Sequence, residues 1–151
     1  MVLDTIMIWL SQWGPVIPAL CVLLTRDKKV ILRATIAFAL TYGLSEALKL
    51  ATLRPRPYAV GDATLIGKEP LDQWSFPSKH ASTTFSLAAS TIMHRRVLGS
   101  VALAFSALIA YSRVYLGVHY WTDVLAGAFL GVLVAVLVDH AFVLVERRRH
   151  Q

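Results

Sequence analysis

Five apolar runs, at residues 5–25, 30–48, 78–93, 97–111 and 119–145, take up most of this 151-residue chain. A water-soluble domain of this size has no interior large enough for them, since hydrophobic residues make up 56% of the sequence and charged ones only 16%. A lipid bilayer removes the difficulty. It takes about 20 residues per helical span, and a helix satisfies its own backbone hydrogen bonds where no water is present. The expected fold is therefore all-α, a polytopic transmembrane helical bundle of about five spans, with residues 1–151 as a single membrane-embedded domain. The third and fourth runs, of 15 or 16 residues, reach only about 24 Å as helices. Their outer ends are expected to sit a little below one membrane surface. The fifth run is long and is expected to tilt or project. Small residues along the runs, Ala88–Ser90, Ala102, Ala104 and Ala107, and the Gly127/Gly131 pair, suit close helix contact in lipid.

Charge then orients the bundle. The net charge is +6, but the basic residues form no patch of the kind that binds nucleic acid. They flank apolar runs. Arg26, Lys28, Lys29, Arg33, Arg95, Arg96, Arg147, Arg148 and Arg149 fall in the links 26–33 and 94–96 and in the tail 146–151. With five spans these three stretches share one side, which the positive-inside rule makes cytoplasmic. The C-terminus is then cytoplasmic, while the N-terminus, the link 49–77 and the turn 113–118 face outward. The first basic residue, Arg26, lies beyond the first apolar run, so that run lacks the basic n-region of a secretory signal and reads as a retained helix. Cys21 is the sole cysteine, which excludes an intrachain disulfide. The link 49–77 is long for a passive connection and carries Tyr58, Trp74, Phe76 and prolines at 55, 57, 70 and 77. It is either an interfacial loop or a lid that contacts lipid.

The remaining polar residues are scattered in sequence, yet this topology gathers them at one membrane face. Lys49 ends the second run, with Arg54 and Arg56 behind it. Ser78-Lys79-His80 opens the third, Ser112-Arg113 ends the fourth, and His119 and Asp123 open the fifth. Lysine, arginine and histidine converging in this way suit an oxyanion: the guanidinium offers a planar fork of donors and the ammonium a point charge. Pro77-Ser78 reads as a helix start with Ser78 at the N-cap, leaving the N–H groups of Lys79 and His80 free to meet a phosphate. His119 and Asp123, four apart, share a helix face. The carboxylate can then fix the imidazole tautomer and leave the other nitrogen free to attack. Glu46 and Asp139 lie inside apolar runs, where acids are costly. Glu46 can pair with Lys49, either orienting or neutralising it, and Asp139, with His140, is expected to reach the interface.

Three motifs in this chain resemble the signatures of the type 2 phosphatidic acid phosphatase family, which also includes vanadium haloperoxidases and bacterial acid phosphatases. They are Lys49, six residues, then Arg56-Pro57; Pro77-Ser78-Lys79-His80; and Ser112-Arg113, five residues, His119, three residues, Asp123. Arg54-Pro55 duplicates the Arg-Pro dipeptide, but only Arg56 has the family spacing. The chain departs from the pattern in having Lys79 where the second motif usually has glycine, and in showing one span fewer than the usual six-helix membrane members. The resemblance implies His119 as the nucleophile that forms a phosphohistidine, with Asp123 orienting it. It implies Lys49, Arg56, Ser78 and Arg113 as ligands of the phosphoryl oxygens, and His80 as the acid that protonates the leaving oxygen and then activates water. It implies no metal and no cofactor, and no HExxH or clustered Cys/His set argues for one.

The expected activity is metal-independent dephosphorylation of a lipid phosphate or diphosphate, such as a polyprenyl diphosphate, phosphatidic acid or phosphatidylglycerol phosphate. The setting is the extracytoplasmic face of the cell (inner) membrane, and the partners are the substrate and membrane lipids. A lipid phosphotransferase, which hands the phosphoryl group from His119 to a lipid acceptor, differs only in the second acceptor and stays open. A membrane scaffold or transporter is disfavoured because every motif residue with a chemical role is present. Lys79 either meets a second phosphate, favouring a diphosphate, or points to water.

Overall fold

The computed structural model describes residues 1–149 as seven helices: α1 (Val2–Trp13), α2 (Val16–Leu24), α3 (Lys28–Thr52), α4 (Pro57–Val60), α5 (Lys79–Ile92), α6 (Arg96–Tyr115) and α7 (Trp121–Arg149). The helix ends follow local chemistry. Asp27 caps α3, its carboxylate accepting the N–H of Lys29 at 2.9 Å and of Val30 at 3.4 Å, which satisfies two donors that a helix start leaves unpaired. Helix α3 therefore begins at Lys28, and Arg33 belongs to the bundle rather than to a link. The first apolar run breaks at Gly14-Pro15 into α1 and α2, bent by 49°. Proline lacks the N–H that a continuous helix needs, and a Cβ on Gly14 would lie 2.8 Å from Ile109 of α6.

Helices α3, α6 and α7 are each long and apolar enough to cross a membrane, and the bent α1–α2 pair is so when taken together as one broken span. Helix α6 holds 20 residues, about 30 Å, so the fourth run is a full span rather than a short one. It continues past Tyr111 because Ser112 and Arg113 are held inside the bundle instead of facing water. Helix α5, with 14 residues, is the short one, surrounded by α2, α3, α6 and α7.

Hydroxyl-bearing and small residues gather inside the bundle, and many large apolar side chains face outward. Leu125, Phe129, Val132 and Val136 of α7 are exposed, while Ser82, Ser86, Ser90 and Thr91 of α5 are buried. In water such an apolar exterior would be a large sticking surface; in lipid it is the solvated face. The hydroxyls of Ser82, Ser86 and Thr91 are paired. Thr84 and Thr91 donate to carbonyls one turn back, of His80 and Leu87, at 2.7 Å each, and Ser45 meets Ser82 across α3 and α5 at 2.7 Å. The glycine pair sets the α5–α7 distance. A Cβ on Gly127 would sit 2.7 Å from the carbonyl of Ser78, and one on Gly131 would collide with that of Ser82. This close approach lets the Ser78 N–H donate to the Asp123 carbonyl at 3.0 Å, joining the starts of α5 and α7.

At the far end Arg33, 6% exposed, donates to Asp139 at 2.7 Å and to Glu146 at 3.0 Å. His94 Nε2 lies 2.9 Å from Asp139. Asp139 of α7 thus ties together α3 and the turn between α5 and α6. The same contacts place the start of α3, the α5–α6 turn and the end of α7 at one end of the bundle, opposite the motif residues.

Candidate active site

Six of the motif residues meet around a cavity of about 540 Å³, a size typical of small-molecule sites, while Ser78 and Asp123 lie outside its lining. Lys49, Arg56, Lys79, His80, Arg113 and His119 line it, with Ile8, Ile66, Leu71, Leu116 and Val118 as apolar wall. The link between α3 and α5 forms much of one side. It is pinned by Tyr58 N–H to the Gly117 carbonyl and Ile66 N–H to the Leu116 carbonyl, both 3.2 Å. Gly117 takes φ +72 at this crossing, with the Thr64 carbonyl beside it, a position that favours glycine.

Asp72, on that link, sits among the cations. Lys49 Nζ donates to Asp72 Oδ2 at 2.8 Å and to the Trp74 carbonyl at 2.6 Å. Arg56 bonds Asp72 Oδ1 through Nη2 and the Asp72 carbonyl through Nε at 3.0 Å. Lys79 Nζ lies 3.4 Å from Asp72 Oδ2 and 2.7 Å from Glu46, with the Tyr42 ring 5.2 Å away. Burial pushes the Asp72 carboxyl up, but its bond to Lys49 and the charges of Lys49, Arg56 and Lys79 outweigh that and hold it well below the usual carboxylate range. Glu46 therefore pairs with Lys79, not Lys49, because Lys49 is drawn across to Asp72. Lys79 lies on the cavity wall rather than in open water. Arg113 donates to Ser11 of α1 and leaves Nε unpaired.

His119 stands just before α7, not within it. Tyr120 is the cap, its carbonyl accepting the Asp123 and Val124 N–H groups, so His119 and Asp123 meet across a helix start instead of along one helical face. Asp123 Oδ2 takes the Tyr120 N–H at 2.9 Å, the reciprocal half of a capping box, and faces His119 Nδ1 at 3.5 Å. That last contact is longer than a formed hydrogen bond, and Nδ1 has no other partner. His119 Nε2 faces Arg56 Nη1 at 3.3 Å. Nδ1–H toward the carboxylate, with an unprotonated Nε2 accepting from Arg56, is the tautomer that satisfies both neighbours. Burial, aided by Arg113, Arg56 and Lys49 and opposed by Asp123, pushes the imidazolium down to about 4, leaving His119 neutral near pH 7.

Ser78 occupies the N-cap of α5 but makes no side-chain cap bond. Its hydroxyl is buried without a partner. Two further residues enter that the motifs did not point to. Asp72 had no sequence signal beyond being one of three acids in its link. Arg54, counted among the converging cations but outside the motif spacing, donates to Asp123 Oδ1 at 2.7 Å. Among the described residues no three His, Cys, Asp or Glu side chains gather as a metal-ligand set.

A membrane-embedded helical bundle with a cationic cavity and a buried His–Asp pair defines a class of phosphate-transferring membrane enzymes. The comparison with known proteins is specific: residues 30–146 match the PAP2 superfamily, and the chain belongs to it, as a phosphatase. The undecaprenyl-diphosphatase of Sulfolobus acidocaldarius is 31% identical over 143 residues, covering 89% of this chain and 68% of that protein. Undecaprenyl-diphosphatase BcrC of Bacillus subtilis is 26% identical, covering 90% and 73%. Among solved structures, Aquifex aeolicus LpxE superposes with a TM-score of 0.77 at 26% identity, covering 92% of this chain and 86% of its own. The transmembrane PAP2 type phosphatidylglycerolphosphate phosphatase of Bacillus subtilis gives 0.67, also at 26% identity, covering 91% and 75%.

Proposed function

We propose that the protein dephosphorylates a lipid phosphate or diphosphate, without a metal, at the extracytoplasmic face of the cell membrane through a phosphohistidine. The observation that carries this reading is His119, with Nε2 at the cavity beside Arg56 and Nδ1 on Asp123. In the first step the Nε2 lone pair forms an N–P bond as the P–O bond to the lipid breaks, and His80 gives the departing oxygen its proton. Lys49, Arg56 and Arg113 take the charge of the phosphoryl oxygens as it builds. In the second step His80 takes a proton from water, which attacks phosphorus. The N–P bond breaks and phosphate leaves.

Two relatives bear the name undecaprenyl-diphosphatase, and Lys79 extends the row of cations beyond Lys49 and Arg56. Both support a polyprenyl diphosphate as the preferred substrate. The basic far end of the bundle supports the outward placement of the site. The test is phosphate release from a polyprenyl diphosphate in the presence of a strong chelator, with alkaline trapping of the phosphoenzyme. Wild type should turn over and trap label, and His119→Ala should do neither. Near-normal turnover by His119→Ala would refute the mechanism, and loss in chelator restored by a divalent metal would place the chemistry elsewhere.

A further inference from the structure

We propose that Arg54 is a positioning residue that holds the Asp123 carboxylate in place behind His119, so that the two arginines of the Arg54-Pro55-Arg56-Pro57 stretch bracket the His119–Asp123 pair. The inference rests on the reading of His119 as nucleophile. Arg54 Nη1 donates to Asp123 Oδ1 and to Thr122 Oγ1, each at 2.7 Å. Its guanidinium lies over the Tyr120 ring, 4.1 Å from the centroid. That ring is itself tethered by its hydroxyl, which donates to Asp62 at 2.7 Å. Tyr120 also supplies the N–H that takes Asp123 Oδ2.

The Asp123 side chain is fully buried, and a buried carboxylate must have its oxygens satisfied. Oδ2 is shared between the Tyr120 N–H and His119. Oδ1 has Arg54 alone. Arg54 is not part of the cavity wall, so it approaches Asp123 from the side away from the phosphate site and acts through the carboxylate. Arg56, by contrast, reaches the imidazole directly at 3.3 Å. When Nε2 bonds to phosphorus the ring becomes cationic, and its stabilisation depends on where Asp123 is held. An untethered carboxylate can turn Oδ2 away from Nδ1.

The experiment is a double-mutant cycle on purified protein in detergent, with kcat and KM on a polyprenyl diphosphate. Arg54→Gln should lower kcat about 10–100-fold, no more than the lower end of what an acid–base group itself contributes, about 10²–10⁴-fold, with KM changed less than about threefold. In the Asp123→Asn background the same substitution should cost less than about threefold, because residues acting through one contact are not additive. Arg54→Lys should recover part of kcat, keeping the charge while losing the double contact. Equal losses in both backgrounds would assign Arg54 a general structural role, and a rise in KM alone would make it a substrate contact; either overturns the proposal. If Arg54→Gln does not fold, Arg54→Lys is carried through the same cycle under the same criteria. Activity retained in His119→Ala would instead remove the reading beneath it, whatever the cycle shows.

Discussion

If the cations around Asp72 are the phosphate site, then a bound phosphate and the Asp72 carboxylate compete for the same donors. Asp72→Asn removes the charge and keeps the shape. Hydrogen bonds to charged groups contribute about 1.5–3 kcal/mol each, and Asp72 makes close ones to Lys49 and Arg56, with Lys79 further off at 3.4 Å. Its side chain is 28% exposed, so water repays part of the loss when it swings out, and the asparagine amide retains one acceptor. Discounting for both leaves about 1–2 kcal/mol, or about 5–30-fold in affinity at 1.4 kcal/mol per tenfold. The assay is inhibition by inorganic phosphate and by vanadate, which adopts the five-coordinate geometry of phosphoryl transfer. Both inhibition constants should fall by that factor in Asp72→Asn. Because the folded Asp72 carboxyl lies below the usual carboxylate range, it stays ionised, so acidifying wild type from pH 7 to 5 should not reproduce the substitution. Inhibition constants that stay within twofold, or rise, would refute the reasoning. A rise would mean that Asp72 holds mutually repelling cations together instead of occupying the place of the phosphate.

Other outcomes follow from the same geometry. Lys79→Gly should lower turnover of a lipid diphosphate more than that of the monoester; equal losses on the two substrates, or none, would remove Lys79 from discrimination. Gly131→Ala should lower the melting temperature in detergent, since its Cβ meets the backbone carbonyl of Ser82 and overpacking costs about 1–3 kcal/mol; an unchanged melting temperature would mean that α5 and α7 can separate freely. A topology reporter fused after Gln151 should be active only in the cytoplasm, and activity only outside would reverse the sidedness of the site.

Much of this arrangement is legible in the sequence because its signals are local. Long apolar runs locate α3, α6 and α7, and the three motifs name the residues that line the cavity at one end. What the sequence hides depends on which long side chain reaches which partner. Glu46 has Lys49 one turn away on its own helix, yet it pairs with Lys79 because the link brings Asp72 over Lys49. Arg54 and Arg56 are the same residue type in the same dipeptide, and only the folded path of the chain sends one to Asp123 Oδ1 and the other to the imidazole. Gly14-Pro15 lies inside what the sequence presents as one apolar run, and the 49° bend there emerges only in the structure. The same is true of His119. Its spacing from Asp123 fits a helix face, whereas the helix begins at Trp121 and the pair is joined through the Tyr120 cap.

That cap holds the buried His119–Asp123 pair in place. Asp123 occupies the third position of α7, where the helix dipole favours an acid and the Tyr120 N–H fixes one oxygen. The start of α7 is in turn locked to the start of α5 by the Ser78 N–H on the Asp123 carbonyl, and that bond is possible because Gly127 lets the two backbones approach. Ser78, His80, His119 and Asp123 thus hang from one junction of two helix starts. Lys49 and Arg113 come to it from the ends of α3 and α6. Lys49, at a C-terminal turn, neutralises the carbonyl end of its helix, while the α5 and α7 starts offer positive ends to the same cavity. Two helix starts and the cationic side chains carried by the ends of α3 and α6 therefore present a positive field to one place. A bound phosphate would face that field whichever lipid carries it, so discrimination among lipids falls to the cavity wall: Lys79, Asp72 and the apolar residues of α1 and of the link between α3 and α5.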